Sequence, residues 1–173
     1  TPLNPATLYG VCKHSLQTIL DAYSRETPLS AAWGRIFFLF GPGEHPDRLV
    51  SSVIASLLKG DIAPCSKGNQ LRDFLYVEDV ASAFVSILES DVEGPINIGS
   101  GNAITIKDLV KKICQKIEKC DLVSFGDLPT PLDDPKELVA DITKLTKVVE
   151  WAPKYDLDAG IEKTIHWWRK KLS

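Results

Sequence analysis

The sequence predicts an α/β fold, ordered like the trailing part of a doubly wound parallel sheet with an irregular second half. Three observations carry this. The chain opens on a helical stripe rather than a strand, a nearly continuous apolar run follows and ends at Gly41-Pro42-Gly43, and shorter strands then alternate with amphipathic helices.

From Pro5 to Ser24 the residues Leu8, Val11, Leu16, Ile19, Leu20 and Tyr23 recur at helical spacing, with Asn4 as the expected N-cap and Pro5 at the first helical position. Leu29 to Phe40 reads as a buried parallel strand with a loop at its carboxyl end, where ligands of open α/β sheets bind. Arg48 to Leu58 is an amphipathic helix stopped by Gly60, and Leu71 to Val77 is a short strand. A helix then starts at Glu78-Asp79 and runs through Leu88, since an acidic residue caps free backbone N–H groups ahead of the stripe Val80, Ala83, Phe84 and Ile87.

Pro95 to Ile98 is a strand, Gly99-Ser100-Gly101 a turn rather than a phosphate cradle, and Thr105 caps a helix from Ile106 to about Lys119. Leu128 to Pro135 reads as a loop, Leu138-Val139-Ala140 as a short strand, Asp141 to Glu150 as a capped helix and Leu157 to Leu172 as the last helix. Trp151, Trp167 and Trp168 have apolar neighbours at helical positions and are expected in the core.

Composition bounds the function. The 173 residues are 44% hydrophobic and 25% charged, enough apolar material for a core. A formal charge of -3 leaves no basic surplus for a phosphate backbone, which argues against nucleic-acid binding. No apolar run approaches the roughly 18 residues that span a bilayer, and no signal-peptide pattern is present, so a cytoplasmic protein is expected and no membrane partner. The 4 cysteines form no C-x-x-C pair and the 3 histidines are scattered, so reduced, packed thiols and no metal site are expected. The absence of methionine and the start at Thr1 suggest a piece of a longer protein.

Tyr9 and Lys13 stand four apart on the first helix and so share one face. A neighbouring ammonium favours the phenolate form of a phenol, which makes such a pair an acid/base; the spacing alone fits a surface pair equally. Arg72 has a fork suited to phosphate oxygens, while Asp73 beside it fits an internal ion pair. Asp79 fits a helix cap better than a catalytic role, and Arg48 fits either a nucleotide contact or a solvated side chain.

Five motifs occur in order: N-P-A-T-L-Y-G-V-C-K, R-I-F-F-L-F-G-P-G, R-D-F-L-Y-V-E-D-V-A-S-A-F, G-P-I-N-I-G-S-G, and the late L-V-A-D-I-T-K-L with W-A-P-K-Y-D-L-D-A-G-I. Together they resemble the extended short-chain dehydrogenase/reductases of the NAD-dependent epimerase/dehydratase family, C-terminal half only, over essentially the whole chain. The resemblance implies a Rossmann-type sheet interleaved with a small substrate-binding domain: residues 1–45 as the tail of the NAD(P)-binding domain, and 46–173 mainly as the nucleotide-sugar domain, with 71–98 partly returning to the Rossmann core. It implies NAD or NADP as cofactor and a nucleotide sugar as substrate. Tyr9 matches the catalytic acid/base, and Lys13 the lysine that tunes it and holds the nicotinamide ribose. Arg72 matches the arginine of the substrate diphosphate, with Arg48 and Phe38 at the same site. In that family the helix beside the catalytic tyrosine pairs across a homodimer, and the face bearing Leu16, Leu20 and Tyr23 fits either such a contact or packing within the monomer.

Three departures matter. Phe38 stands where many members carry a hydrogen-bonding asparagine, which points to a branch such as a 4-keto-6-deoxy nucleotide-sugar reductase; the stretch T-P-L-D-D-P has no arginine where many members carry a second one for phosphate. No G-x-x-G-x-x-G occurs in the 173 residues, so the chain alone is expected to be inactive, and a non-catalytic nucleotide-binding protein of this fold is the alternative.

Overall fold

The computed structural model describes residues 3–131 and 134–173, so the expected loop from Leu128 to Pro135 falls partly outside the described residues. The first helix, α1 (Leu8–Glu26), starts later than the stripe predicts. Thr7, extended at φ -110° and ψ 153°, accepts the Gly10 N–H on its hydroxyl, so Thr7 is the cap in place of Asn4, and Pro5 lies ahead of the helix.

The apolar run after α1 divides into β1 (Ala32–Ile36) and β2 (Phe38–Phe40) because it changes neighbours at Phe37. It is parallel as expected but only partly buried: Phe40 is enclosed, whereas Ile36 and Leu39 are exposed. Next come α2 (Leu49–Lys59), closed by Gly60 at φ 83°, and β3 (Ala63–Cys65). The predicted strand from Leu71 to Val77 is likewise two pieces, β4 (Leu71–Arg72) and β5 (Phe74–Tyr76), with Asp73 at the joint. Helix α3 (Val77–Leu88) leads to β6 (Gly94–Ile98) and β7 (Ile104–Thr105). Thr105 caps α4 (Ile106–Ile117) through the Asp108 N–H, and α4 ends two residues early because Glu118 is left-handed at φ 62°.

A 3-10 turn at Cys120–Leu122 precedes β8 (Val123–Phe125) and β9 (Glu137–Leu138). The helix expected from Asp141 to Glu150 contracts to α5 (Thr143–Lys147); Asp141 does accept the Thr143 N–H, and left-handed Glu150 (φ 56°) turns the chain away. The last helix, α6 (Leu157–Leu172), matches its expected bounds, with Asp156 capping the Ala159 N–H.

Parallel pairings β1–β6, β2–β5 and β3–β8, with β4 between antiparallel β7 and parallel β9, give the α/β architecture that the order of elements predicts. One core lies among α2, α4 and α6 around Phe40, Ile54, Ile113 and Ile161; the other lies around Ile96, Ile98, Leu145 and Trp151. Trp151 and Trp168 are core residues as expected, and Trp167 is half-buried, edge-on to Trp168 at 5.2 Å.

The cysteine expectation needs correction. Cys114 and Cys120 are joined in a disulfide, because the left-handed Glu118 folds the chain back and brings their Cα atoms to 4.8 Å; Cys65 is the buried thiol that was expected, and Cys12 is exposed.

Candidate functional site

The predicted site residues fall into two groups. Tyr9 and Lys13 lie in the first turns of α1, the tyrosine 73% exposed, with Lys13 Nζ 5.7 Å from the centre of its ring. Lys13 also lines a cavity of about 350 Å³ with Asn4, His14, Gln17 and Arg35. Arg35, one residue short of the carboxyl end of β1, donates to Gln17 Oε1 at 2.9 Å and so ties the strand to α1. The helix start, through Gly10 and the preceding Pro5, lines the same cavity as Trp33 and Arg35 of this parallel strand; ligands of such sheets bind at the carboxyl ends of the strands. His14 Nδ1 is enclosed in this wall without a hydrogen-bond partner among the described residues.

Phe38, Arg48 and Arg72 do come together, around a second cavity of about 540 Å³ that also touches Glu44, His45 and Asp134. The two cavities share no lining residue. Arg48 is exposed at the N-terminal end of α2. Glu44 accepts from the buried Ser51 hydroxyl at 2.8 Å; burial raises its carboxyl above the usual range, against the lowering effect of Ser51 and Arg48.

Arg72 is 3% exposed. Its Nη1 donates to the carbonyls of Leu71 (2.8 Å) and Pro135 (2.9 Å), and its Nη2 donates to Asp134 Oδ1 at 2.5 Å. The Phe38 ring covers the guanidinium, centroid to Cζ 5.5 Å. The ion-pair partner is therefore Asp134, not the adjacent Asp73. Asp73 faces the other way and accepts from Ser100 N (2.7 Å), Ser100 Oγ (2.6 Å), Gly101 N (2.9 Å) and Ala140 N (3.1 Å). It fixes the Gly99-Ser100-Gly101 turn, whose Ser100 and Gly101 N–H groups are thereby used internally.

Asp79 is not the cap of its own helix. Its carboxylate accepts from Lys154 N (2.8 Å) and Tyr155 N (3.1 Å), joining the start of α3 to the segment before α6. Sequence reasoning missed Glu44, His45 and Asp134 as cavity residues; the acidic pair of D-D-P in a segment where phosphate-binding arginine was sought was the available signal for Asp134.

Among the described residues no group of three or more His, Cys, Asp or Glu side chains is placed to hold a metal ion, and no helix is long and apolar enough to cross a membrane.

The chain is 32% identical over 174 residues to UDP-glucuronic acid decarboxylase 1 of Xenopus tropicalis, covering 99% of this chain and 41% of that protein. It is 28% identical to the dTDP-glucose 4,6-dehydratase of Escherichia coli, over 97% of this chain and 50% of that one. Among solved structures it superposes on the UDP-glucose 4-epimerase of Thermotoga maritima with a TM-score of 0.91 and 26% identity, covering 98% of this chain and 56% of the other. The chain thus spans about half the length of these relatives. The family model for the NAD dependent epimerase/dehydratase family matches residues 1–99, the stretch that carries the Tyr9 helix, the Gly41-Pro42-Gly43 loop and Arg72, and the chain belongs to that family.

Proposed function

We propose that the protein belongs to an enzyme that transfers hydride between a nucleotide sugar and NAD or NADP, with Tyr9 as the acid/base and Lys13 beside it. The observation that carries this reading is the Tyr9–Lys13 pair on one face of α1, inside the stretch matched to the family. Structures of relatives with NAD, and with UDP-glucose or UDP-glucuronic acid alongside it, support the cofactor and substrate class.

The residues beside Lys13 fit the nicotinamide-ribose end of such a cofactor. Lys13 offers an ammonium donor, and the orphaned His14 Nδ1 and the Asn4 amide stand in the same wall for ribose hydroxyls. When bound, the nicotinamide accepts or returns the hydride. The protein's own part is proton management: Tyr9 takes the proton of the sugar hydroxyl as its carbon is oxidised and returns it on reduction. Lys13 stabilises the phenolate by charge.

Phe38, Arg48 and Arg72 form the nucleotide-sugar side of the proposal. Residues 1–45, with 71–98 returning to them, act as the cofactor side, and 46–173 mainly as the substrate side. A second copy of the chain covers the α1 face that exposes Leu16 and Tyr23.

Tyr9→Phe in the full encoded protein is expected to abolish turnover while nucleotide-sugar binding, followed by calorimetry, stays within about twofold, since the hydroxyl serves the reacting proton. Retained turnover removes Tyr9 from the role. Product identity then separates the reactions: an inverted sugar, a 4-keto-6-deoxy sugar, a decarboxylated sugar, or an alcohol formed with net use of cofactor.

A further inference from the structure

Arg72 faces the second cavity with its fork already engaged. Of the five N–H donors a guanidinium carries, three are used within the chain, and two of their acceptors, Asp134 Oδ1 and the Pro135 carbonyl, lie on the segment just before β9. Asp134 is held from a second side, its Oδ2 accepting from Gln70 Nε2 at 2.9 Å. With Phe38 over one face and only 3% of its surface exposed, Arg72 presents little to an incoming anion as long as Asp134 stays in place.

Asp134 lines the same cavity and is 26% exposed, so its carboxylate stands at the boundary between the guanidinium and the open volume. A carboxylate and a phosphate present the same thing to an arginine: anionic oxygens at N–H···O distance. The cavity wall also holds two arginines, Arg48 and Arg72, against two carboxyl groups, Glu44 and Asp134. A diphosphate brought into that volume adds negative charge beside Asp134, which is unfavourable unless the carboxylate withdraws or is neutral.

We propose that Asp134 is a resident counter-anion that occupies the phosphate position on Arg72, so that a diphosphate docks by displacing it and the 134–135 segment opens the cavity. This rests on the reading that the cavity takes a nucleotide sugar. Displacement is the step that sets affinity. Neutralising Asp134 while keeping its shape removes the competitor.

The test uses inorganic pyrophosphate, which carries the shared chemistry without a base or sugar, titrated by calorimetry into the protein and its variants. Asp134→Asn is expected to tighten pyrophosphate about tenfold, as expected when a like charge is removed beside the ligand. Arg72→Ala should bind weakly, and the double variant Asp134→Asn with Arg72→Ala should match Arg72→Ala, because the gain acts only through that guanidinium. If Asp134→Asn binds pyrophosphate no better while Arg72→Ala still weakens it, the counter-anion idea fails and the phosphate site stands. If neither substitution changes binding, the nucleotide-sugar reading of the cavity fails with it. Asp134→Ser neutralises with a smaller side chain where Asn is not accommodated; loss of folding in both, seen by circular dichroism, would assign the pair to holding the fold and overturn the proposal.

Discussion

Asp73 shows how one side chain organises two loops. Its carboxylate accepts four hydrogen bonds, two from Ser100 and one each from Gly101 and Ala140, and it is fully buried. Asp73→Ala strands three backbone N–H groups, and urea unfolding should show a loss of roughly 3 kcal/mol, the cost scale of buried donors left without partners. Gly99 lies under the same carboxylate: a Cβ there would fall 2.6 Å from both Asp73 Oδ2 and the Ala140 Cβ. Gly99→Ala should therefore destabilise by about 1–3 kcal/mol, the range for overpacking, and a variant as stable as the parent would show that the turn can shift. None of the partners of Asp73 could be read in the sequence, because Ser100, Gly101 and Ala140 lie far along the chain and the adjacent Arg72 was the nearer candidate.

At the scale of elements, α4 and α6 are strapped by ion pairs: Lys112 to Asp158 at 2.8 Å, and Lys116 to Glu162 at 2.6 Å and Asp158 at 3.6 Å. The Lys112 hydrogen bond holds the Asp158 carboxyl below its usual value of 3.8, and the Glu162 hydrogen bond holds Lys116 above its usual 10.5. The lowered acid contributes stability that is present above its ordinary pKa and lost as pH falls through the folded value. The raised base contributes stability that is lost as pH rises through its folded value. All three pairs are part-exposed, so Asp158→Asn should cost no more than about 1 kcal/mol at neutral pH and nothing in strong acid, measured as the shift in urea midpoint at each pH.

The disulfide acts on the same end of α4. Cys114 and Cys120 are six apart, and opening so short a loop should lower stability by about 2 kcal/mol on the chain-entropy account. Thermal unfolding with and without a reductant checks this, with mass spectrometry reporting the two hydrogens gained. The helices themselves were legible from periodicity and caps, as with α4 behind Thr105 and α6 behind Asp156. The strand breaks at Phe37 and Asp73 were not, because a strand that changes its partner keeps the same apolar pattern on both sides of the change.

For the whole molecule, α1 is the least enclosed helix: Gln17 is its only buried residue, whereas Leu8, Leu16, Ile19 and Tyr23 are exposed. A continuous apolar face of this kind marks a contact surface. If it serves a second copy, as proposed, size-exclusion chromatography of the full encoded protein should give a dimer that Leu16→Glu with Tyr23→Glu converts to monomer; a monomer at every concentration would reject that partner. The two cavities, one beside Lys13 and one around Arg72, share no lining residue.

The sequence by itself determined the α/β class and the family, because periodicity, caps and motif order are local and survive without a structure. The juxtaposition of Tyr9 and Lys13 belongs here, since four residues along a helix bring two side chains to one face. The tertiary structure alone decided the pairings. It gave Arg72 to Asp134 and Asp73 to the turn at Ser100, moved Asp79 from a helix cap to the Lys154 amide, and joined Cys114 to Cys120. A buried charge takes whichever partner the packed chain delivers within hydrogen-bond reach, and that depends on distance in space rather than separation in sequence.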